Sequence, residues 1–134
     1  MSDRRHGREM LAMARADLRA LQGMMHPSLF GTEFFTDEIF GFHAQQAAEK
    51  ALKAWLSFRG LTYSRTHDLL HLIRELEEAG EQIEDQPELL ELNPFAVQYR
   101  YETMDEPDVS PIDRTAVVKK ISALIDHVAQ FIDA

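Results

Sequence analysis

The stretch FHAQQAAEKALKAWLSFRG, residues 42–60, decides the fold. Advanced by about 100° per residue, it continues an apolar arc that begins at Phe40 and takes in Ala44, Ala48, Ala51, Leu52, Trp55, Leu56 and Phe58. Alanines at 44, 47, 48, 51 and 54 keep the helix surface low, so a neighbouring backbone can come close. That combination predicts the central helix of a helical bundle. Its polar residues are less ordinary. His43, Gln46, Lys50 and Ser57 fall within roughly 60° of one line, opposite Trp55 and Leu52. Glu49 and Lys53 form an i,i+4 pair of the kind that decorates a solvated face. A histidine and two adjacent glutamines add hydrogen-bonding groups with little gain in helix propensity. The periodicity leaves two readings open, a wet or interhelical polar face and a ligand or dimer surface.

Outward from this helix, the same spacing rule finds more helices and no strand. Thr36 can cap the central helix, Asp37 and Glu38 fit its electropositive first turn, and Gly60 stops it after Phe58. Residues 4–22 place Met10, Leu11, Ala14, Leu18 and Leu21 at helical spacing, with arginines outward. Gly23 and Pro27 then lead into a loop whose Phe30, Phe34 and Phe35 are expected to pack on the bundle. A third helix is predicted from a Thr66 or Ser64 cap, with Leu69, Leu70, Leu72, Ile73 and Leu76 inward and Ala79-Gly80 at its end. A short or irregular fourth helix, interrupted near Pro94, follows the acid-rich stretch 81–91. Asp113 can cap a last helix from Arg114 to Ile132, in which Val117, Val118, Ile121, Leu124, Ile125, Val128 and Ile132 recur. The expected architecture is an all-α, up-and-down bundle of four to five helices, one domain spanning residues 1–134.

Composition bounds the chemistry. The chain of 134 residues has no cysteine, which removes disulfides, thiolate zinc sites and cysteine nucleophiles. No apolar run approaches the roughly 20 residues of a membrane span, and MSDRRHGRE lacks the apolar stretch of a secretory signal, so a cytoplasmic location is expected. The net charge of −9 argues against a general nucleic-acid surface. Its distribution is uneven: residues 4–74 carry ten Lys and Arg against seven acids, and residues 75–134 four against fifteen.

Three groups of residues carry candidate chemistry. The first is the stripe His43, Gln46 and Lys50. The second is HDLLHLIRE, with His67, His71 and Glu75 at successive i,i+4 positions. Two histidines one turn apart can share a metal, but no Glu-x-x-His half accompanies them. We therefore assign no metal and no cofactor, and read His67 as a cap-region or polar-site residue. The third is VQYRYE, where Tyr99 and Tyr101 flank Arg100; arginine forks onto phosphate and tyrosine stacks on bases. An arginine paired with a nearby acid would look the same. No phosphate-cradling glycine loop, nucleophile elbow or triad signature is present in the sequence.

In their order and spacing, FHAQQAAEKALKAWLSFRG, RTHDLLHLIREL and YRYE, followed by an acidic Pro-containing loop and a closing amphipathic helix, resemble the HEPN (higher eukaryotes and prokaryotes nucleotide-binding) domain family. The resemblance implies a helical bundle, a homodimer, and action with a minimal nucleotidyltransferase as a toxin–antitoxin-like pair. It also implies binding of nucleotide or RNA, with no membrane involved. The family's Gln-Ala-Ala-Glu-Lys motif falls on Gln46, Ala47, Ala48, Glu49 and Lys50, its Thr-His pair on Thr66 and His67, and its Arg-Tyr pair on Arg100 and Tyr101. Taken with the polar stripe and the Tyr-Arg-Tyr cluster, these matches give a candidate ligand-binding set of His43, Gln46, Lys50, His67, Tyr99, Arg100 and Tyr101. Ribonucleases of the family carry Arg, four to six residues, then His; here Arg100 precedes Tyr-Glu-Thr-Met-Asp-Glu, with no histidine in reach. Arg65–His71 and Arg19–His26 have the spacing in other places. Three functions therefore stand side by side: a nucleotide, RNA or partner-binding protein, a metal-independent endoribonuclease toxin, and a purely structural dimeric interaction module.

Overall fold

The computed structural model describes residues 2–26, 35–83, 87–96 and 112–132. They form an all-α bundle, with no strand among them: α1 (Ser2–Met24), α2 (Asp37–Phe58), α3 (Leu69–Glu78), the single turn α4 (Pro87–Leu90), a 3₁₀ turn (Asn93–Phe95) and α5 (Arg114–Ala129). None of the helices is long and apolar enough to cross a membrane. The interruption expected near Pro94 is the 3₁₀ turn, which carries that proline at its start. The last helix ends at Ala129, and turns continue to Ile132. Phe35 packs against the core, whereas Phe30 and Phe34 lie outside the described residues.

α2 is the axle. It packs most extensively on α1 and also touches α3, the 3₁₀ turn and α5. Ala44, Ala47, Ala48, Ala51 and Ala54 are all fully buried, as the low surface of the helix requires for neighbours on several sides. Gly41 serves the same purpose, since a Cβ there would lie less than 3.0 Å from three atoms of the Phe95 ring. The ring therefore seats directly on the helix backbone and ties the 3₁₀ turn to α2.

Local signals set the helix ends. Thr36 Oγ1 accepts from Ile39 N at 3.3 Å, and Asp113 Oδ1 accepts from Ala116 N at 3.1 Å. Gly60 and Gly80 take φ of 72° and 91°, the left-handed region that glycine enters without penalty. α3 departs from expectation: its cap is Asp68, whose Oδ1 accepts from Leu70 N at 3.0 Å, not Thr66 or Ser64. Thr66 instead accepts from Asp68 N, and Asn93 fixes the start by accepting from Leu69 N and donating to Asp68 Oδ1. His67 consequently precedes the helix.

Long-range clasps close the bundle. Buried Arg114 donates to both Asp37 Oδ1 and the Phe35 carbonyl and lies over the Phe40 ring, locking the start of α5 to the start of α2. Arg4 donates to the carbonyls of Phe131 and Ile132, so the start of α1 holds the turns after α5. Arg8, Arg15 and Arg19 point outward from α1 and are exposed.

Candidate functional site

The polar side of α2 is not a solvated face. Gln45 is fully buried, Glu49 is 4% exposed and Lys53 9% exposed. The Glu49–Lys53 pair, expected from its i,i+4 spacing to sit in water, is instead covered by the segment after Gly60, which brings His67 to Glu49 and the Tyr63 ring to Lys53. Glu49 Oε2 accepts from Lys53 Nζ at 3.0 Å; its Oε1 accepts from Gln45 Nε2 at 3.0 Å and from His67 Nδ1 at 2.8 Å. Lys53 Nζ lies 5.3 Å from the centre of the Tyr63 ring, and the Tyr63 hydroxyl meets His6 Nε2 at 2.6 Å.

This environment holds the Glu49 carboxyl below its ordinary pKa. Burial pushes it up, but the hydrogen bonds from Gln45, His67 and Lys53, with the Lys53 charge, together outweigh that penalty. Burial, helped by the Glu49 charge, pushes the Tyr63 phenol upward. Since an ionised carboxylate only accepts, His67 Nδ1 carries the hydrogen in this pair and its Nε2 is left for another partner.

A second cluster lies on the α1 side of the same helix. Asp17 Oδ1 meets His43 Nδ1 at 3.1 Å, and Asp17 Oδ2 accepts from Lys50 Nζ at 3.0 Å. Gln46, one turn from both His43 and Lys50, donates to Gln45 Oε1 at 2.8 Å. Gln45 in turn donates to the His67 carbonyl at 3.0 Å. The two clusters thus form one polar seam along α2, bounded by α1 on one side and residues 61–68 on the other. Exposure rises toward the histidines: the side chain of Lys50 is 18% exposed, His43 33% and His67 47%.

Four of the seven residues assigned from sequence, His43, Gln46, Lys50 and His67, therefore line this seam. Tyr99, Arg100 and Tyr101 lie outside the described residues. Sequence reasoning missed the two carboxylates that organise the seam. Glu49 was read as a surface residue, and Asp17 was not singled out although it follows Met10 and Ala14 and precedes Leu21 at 4, 3 and 4-residue intervals, on the edge of the α1 core stripe. An acid at such a position is the available signal for a cross-helix ion pair.

His67 and His71 do not act as a helical pair, because His67 precedes α3. His71 Nε2 lies 3.2 Å from Ser64 Oγ and 3.5 Å from Glu75 Oε1, while His67 turns to Glu49. Among the described residues, no group of three or more His, Asp or Glu is arranged to hold a metal ion.

The seam combines two imidazoles, each held through Nδ1 by a carboxylate, with two lysines paired to the same carboxylates. Such an arrangement can orient hydrogen-bonding groups toward a polar ligand or take up a proton at Nε2. A family model described as HEPN domain matches residues 8–132, nearly the whole chain. No curated protein and no solved structure matches it.

Proposed function

The chain belongs to the HEPN domain family, and from that membership we propose that it binds nucleotide or RNA through the α2 seam. The proposal includes a homodimer working with a minimal nucleotidyltransferase in a toxin–antitoxin-like pair. The observation that supports it is the gathering of His43, Gln46, Lys50 and His67 along one partly open seam in a chain otherwise rich in acids. Lys50 supplies the phosphate-seeking charge, although Asp17 holds it in the free protein. The Nε2 atoms of His43 and His67 and the amide of Gln46 supply groups for a base or sugar edge. Tyr99, Arg100 and Tyr101 complete the proposed set.

Calorimetric titration with ATP and with a single-stranded oligoribonucleotide tests this reading, alongside co-purification with a nucleotidyltransferase encoded beside this chain. Saturable binding weakened by Lys50→Ala and His67→Ala is expected. Absence of heat with both ligands, together with absence of co-purification, would sink it. Binding untouched by Lys50→Ala, with a large fall in melting temperature, would leave the seam as structural stitching only.

A second reading, a metal-independent ribonuclease, is favoured by the pairs Asp17–His43 and Glu49–His67. A carboxylate holding Nδ1–H leaves Nε2 as a base able to take the proton of a 2′-hydroxyl. RNA cleavage persisting in a chelator and lost in His43→Ala or His67→Ala is its signature. The missing histidine after Arg100 weighs against it.

A further inference from the structure

α1 turns one edge to the seam through Asp17, and its outward side carries a different pattern. Advanced by about 100° per residue, Arg5, Arg8, Arg15 and Arg19 fall within an arc of roughly 80°, whose middle lies about 160° from Asp17. All four are exposed. Arg5 is bonded to Glu9 at 3.2 Å, whereas Arg8, Arg15 and Arg19 make no ion pair among the described residues. From Arg8 to Arg19 the row spans about 17 Å, at ~1.5 Å per residue. Ala12 within the arc and Ala16 beside it, both exposed, keep the surface low between the guanidinium groups.

Solvation alone does not account for this row. A solvated face gains from opposite charges at i,i+4, yet Arg15 and Arg19 are a like-charged i,i+4 pair. Arg5 puts a cation in the first turn, where the helix dipole disfavours it. α1 contains five arginines and no lysine, and the planar fork of arginine matches phosphate in a way that lysine does not. The net charge of −9 conceals the row, because the acids concentrate in residues 75–134.

The shape and chemistry of the row select its partner. A straight line of cations, one side chain wide, matches a linear polyanion. Each strand of a nucleic-acid duplex carries a charge about every 3.4 Å along the axis, so roughly five phosphates lie alongside the row and each guanidinium meets one in any register. α1 has no Phe, Tyr or Trp on which unpaired bases could stack, so the face suits paired strands, whose bases are turned inward. The exposed acids of a second copy give no matching line among the described residues: Glu77 and Glu78 lie on α3, Glu91 after α4 and Asp126 on α5.

We propose that the outer face of α1 docks on the phosphate backbone of a double-stranded nucleic acid, with Arg8, Arg15 and Arg19 as the contacts. Such a contact reads charge and spacing and carries no base sequence. It is distinct from the α2 seam and holds whether or not the seam binds a nucleotide.

Fluorescence anisotropy with labelled RNA and DNA duplexes of one sequence, about 16 base pairs long, tests the proposal and tells which of the two the face accepts. At least one is expected to bind with a dissociation constant of about 10⁻⁴ M or below in dilute salt, and log affinity should fall against log salt with a slope of about −2.7, the sum for three phosphates. Arg8→Gln/Arg15→Gln/Arg19→Gln, with its folding checked by circular dichroism, should bind at least about tenfold more weakly and with a nearly flat slope. Arg8→Lys/Arg15→Lys/Arg19→Lys should keep most of the slope. The separated strands, and polyglutamate of equal charge, should bind more weakly than the duplex. An ATP titration of the glutamine variant should match wild type, since the seam lies on the other edge of α1, so the two readings fail separately. No binding of either duplex, undiminished binding by the glutamine variant, or single strands or polyglutamate bound as tightly as duplex would each overturn the proposal.

Discussion

Replacing Glu49 with alanine separates a buried ion pair from a surface one by nearly an order of magnitude in energy. An exposed i,i+4 pair is worth about 0.3–0.5 kcal/mol, whereas removing one partner of a buried pair costs about 3–5 kcal/mol, because the other charge is stranded. The consequences for the three donors to Glu49 differ. Gln45 Nε2 keeps the His67 carbonyl at 3.0 Å, and His67, about half exposed, can turn to water. Lys53 cannot: its side chain is 11% exposed, and among the described residues it retains only the face of Tyr63. The expected loss is therefore about 3 kcal/mol or more, a large part of the 5–15 kcal/mol typical of a folded domain. At a urea dependence of about 1–3 kcal/mol per molar, the unfolding midpoint falls by roughly 2 M. Equilibrium urea unfolding measures it. The double variant Glu49→Leu/Lys53→Met, which removes both charges, should recover most of the loss, since apolar replacement of a buried pair is commonly neutral or stabilising. A loss below about 1 kcal/mol for Glu49→Ala would show that water reaches the pair, and the burial argument fails.

Asp17→Asn releases Lys50 and His43 from their carboxylate and should tighten ATP binding several-fold in calorimetry; weaker binding would mean that Asp17 positions the lysine. Acid should destabilise the fold: the depressed pKa of Glu49 contributes stability that is full above its ordinary value of 4.5 and fades as pH falls through the folded value. The raised phenol of Tyr63 contributes below pH 10.0, and that contribution fades as pH rises through its folded value. Read from melting temperature against pH, the acid trend should disappear in Glu49→Gln, whereas the alkaline one, which burial of the phenol causes first, should weaken only in part. Gly41→Ala should lower the melting temperature, because displacing the Phe95 ring costs about 1–3 kcal/mol against a propensity gain of about 1 kcal/mol. Adding Phe95→Leu should recover part of that loss.

The parts legible in the sequence are those decided locally. The Thr36 and Asp113 caps, the Gly60 and Gly80 stops and the apolar arcs of α1, α2 and α5 depend on neighbours within a turn or two, so spacing and side-chain type suffice. The start of α3 was not legible because Ser64, Thr66 and Asp68 can all cap. Asn93, 24 residues from Leu69, decides among them. Burial of Glu49 and Lys53 was hidden for a related reason, since an i,i+4 pair looks the same in water or under a roof. What removes the water is the segment carrying Tyr63 and His67, which approaches only after the chain turns at Gly60. One sign of that roof was available, because α2 is apolar around much more of its circumference than a surface helix requires. The seam's histidines and lysine were found, yet the carboxylates that hold them were not, and Asp17 reaches Lys50 across 33 residues.

The ion pair between Asp17 and Lys50 also bears on how any phosphate ligand would respond to salt. Affinity for a nucleic acid falls with added salt in proportion to the counterions displaced, and a cation displaces them only when its charge is unspent. Lys50 is already neutralised by Asp17 within the free protein. A strand captured through the seam should thus exchange one anionic partner for another and release few ions, giving a shallow slope of affinity against salt. The exposed arginines of α1 would give a steep one. The slope therefore distinguishes recognition at the seam from adhesion to the outside of α1.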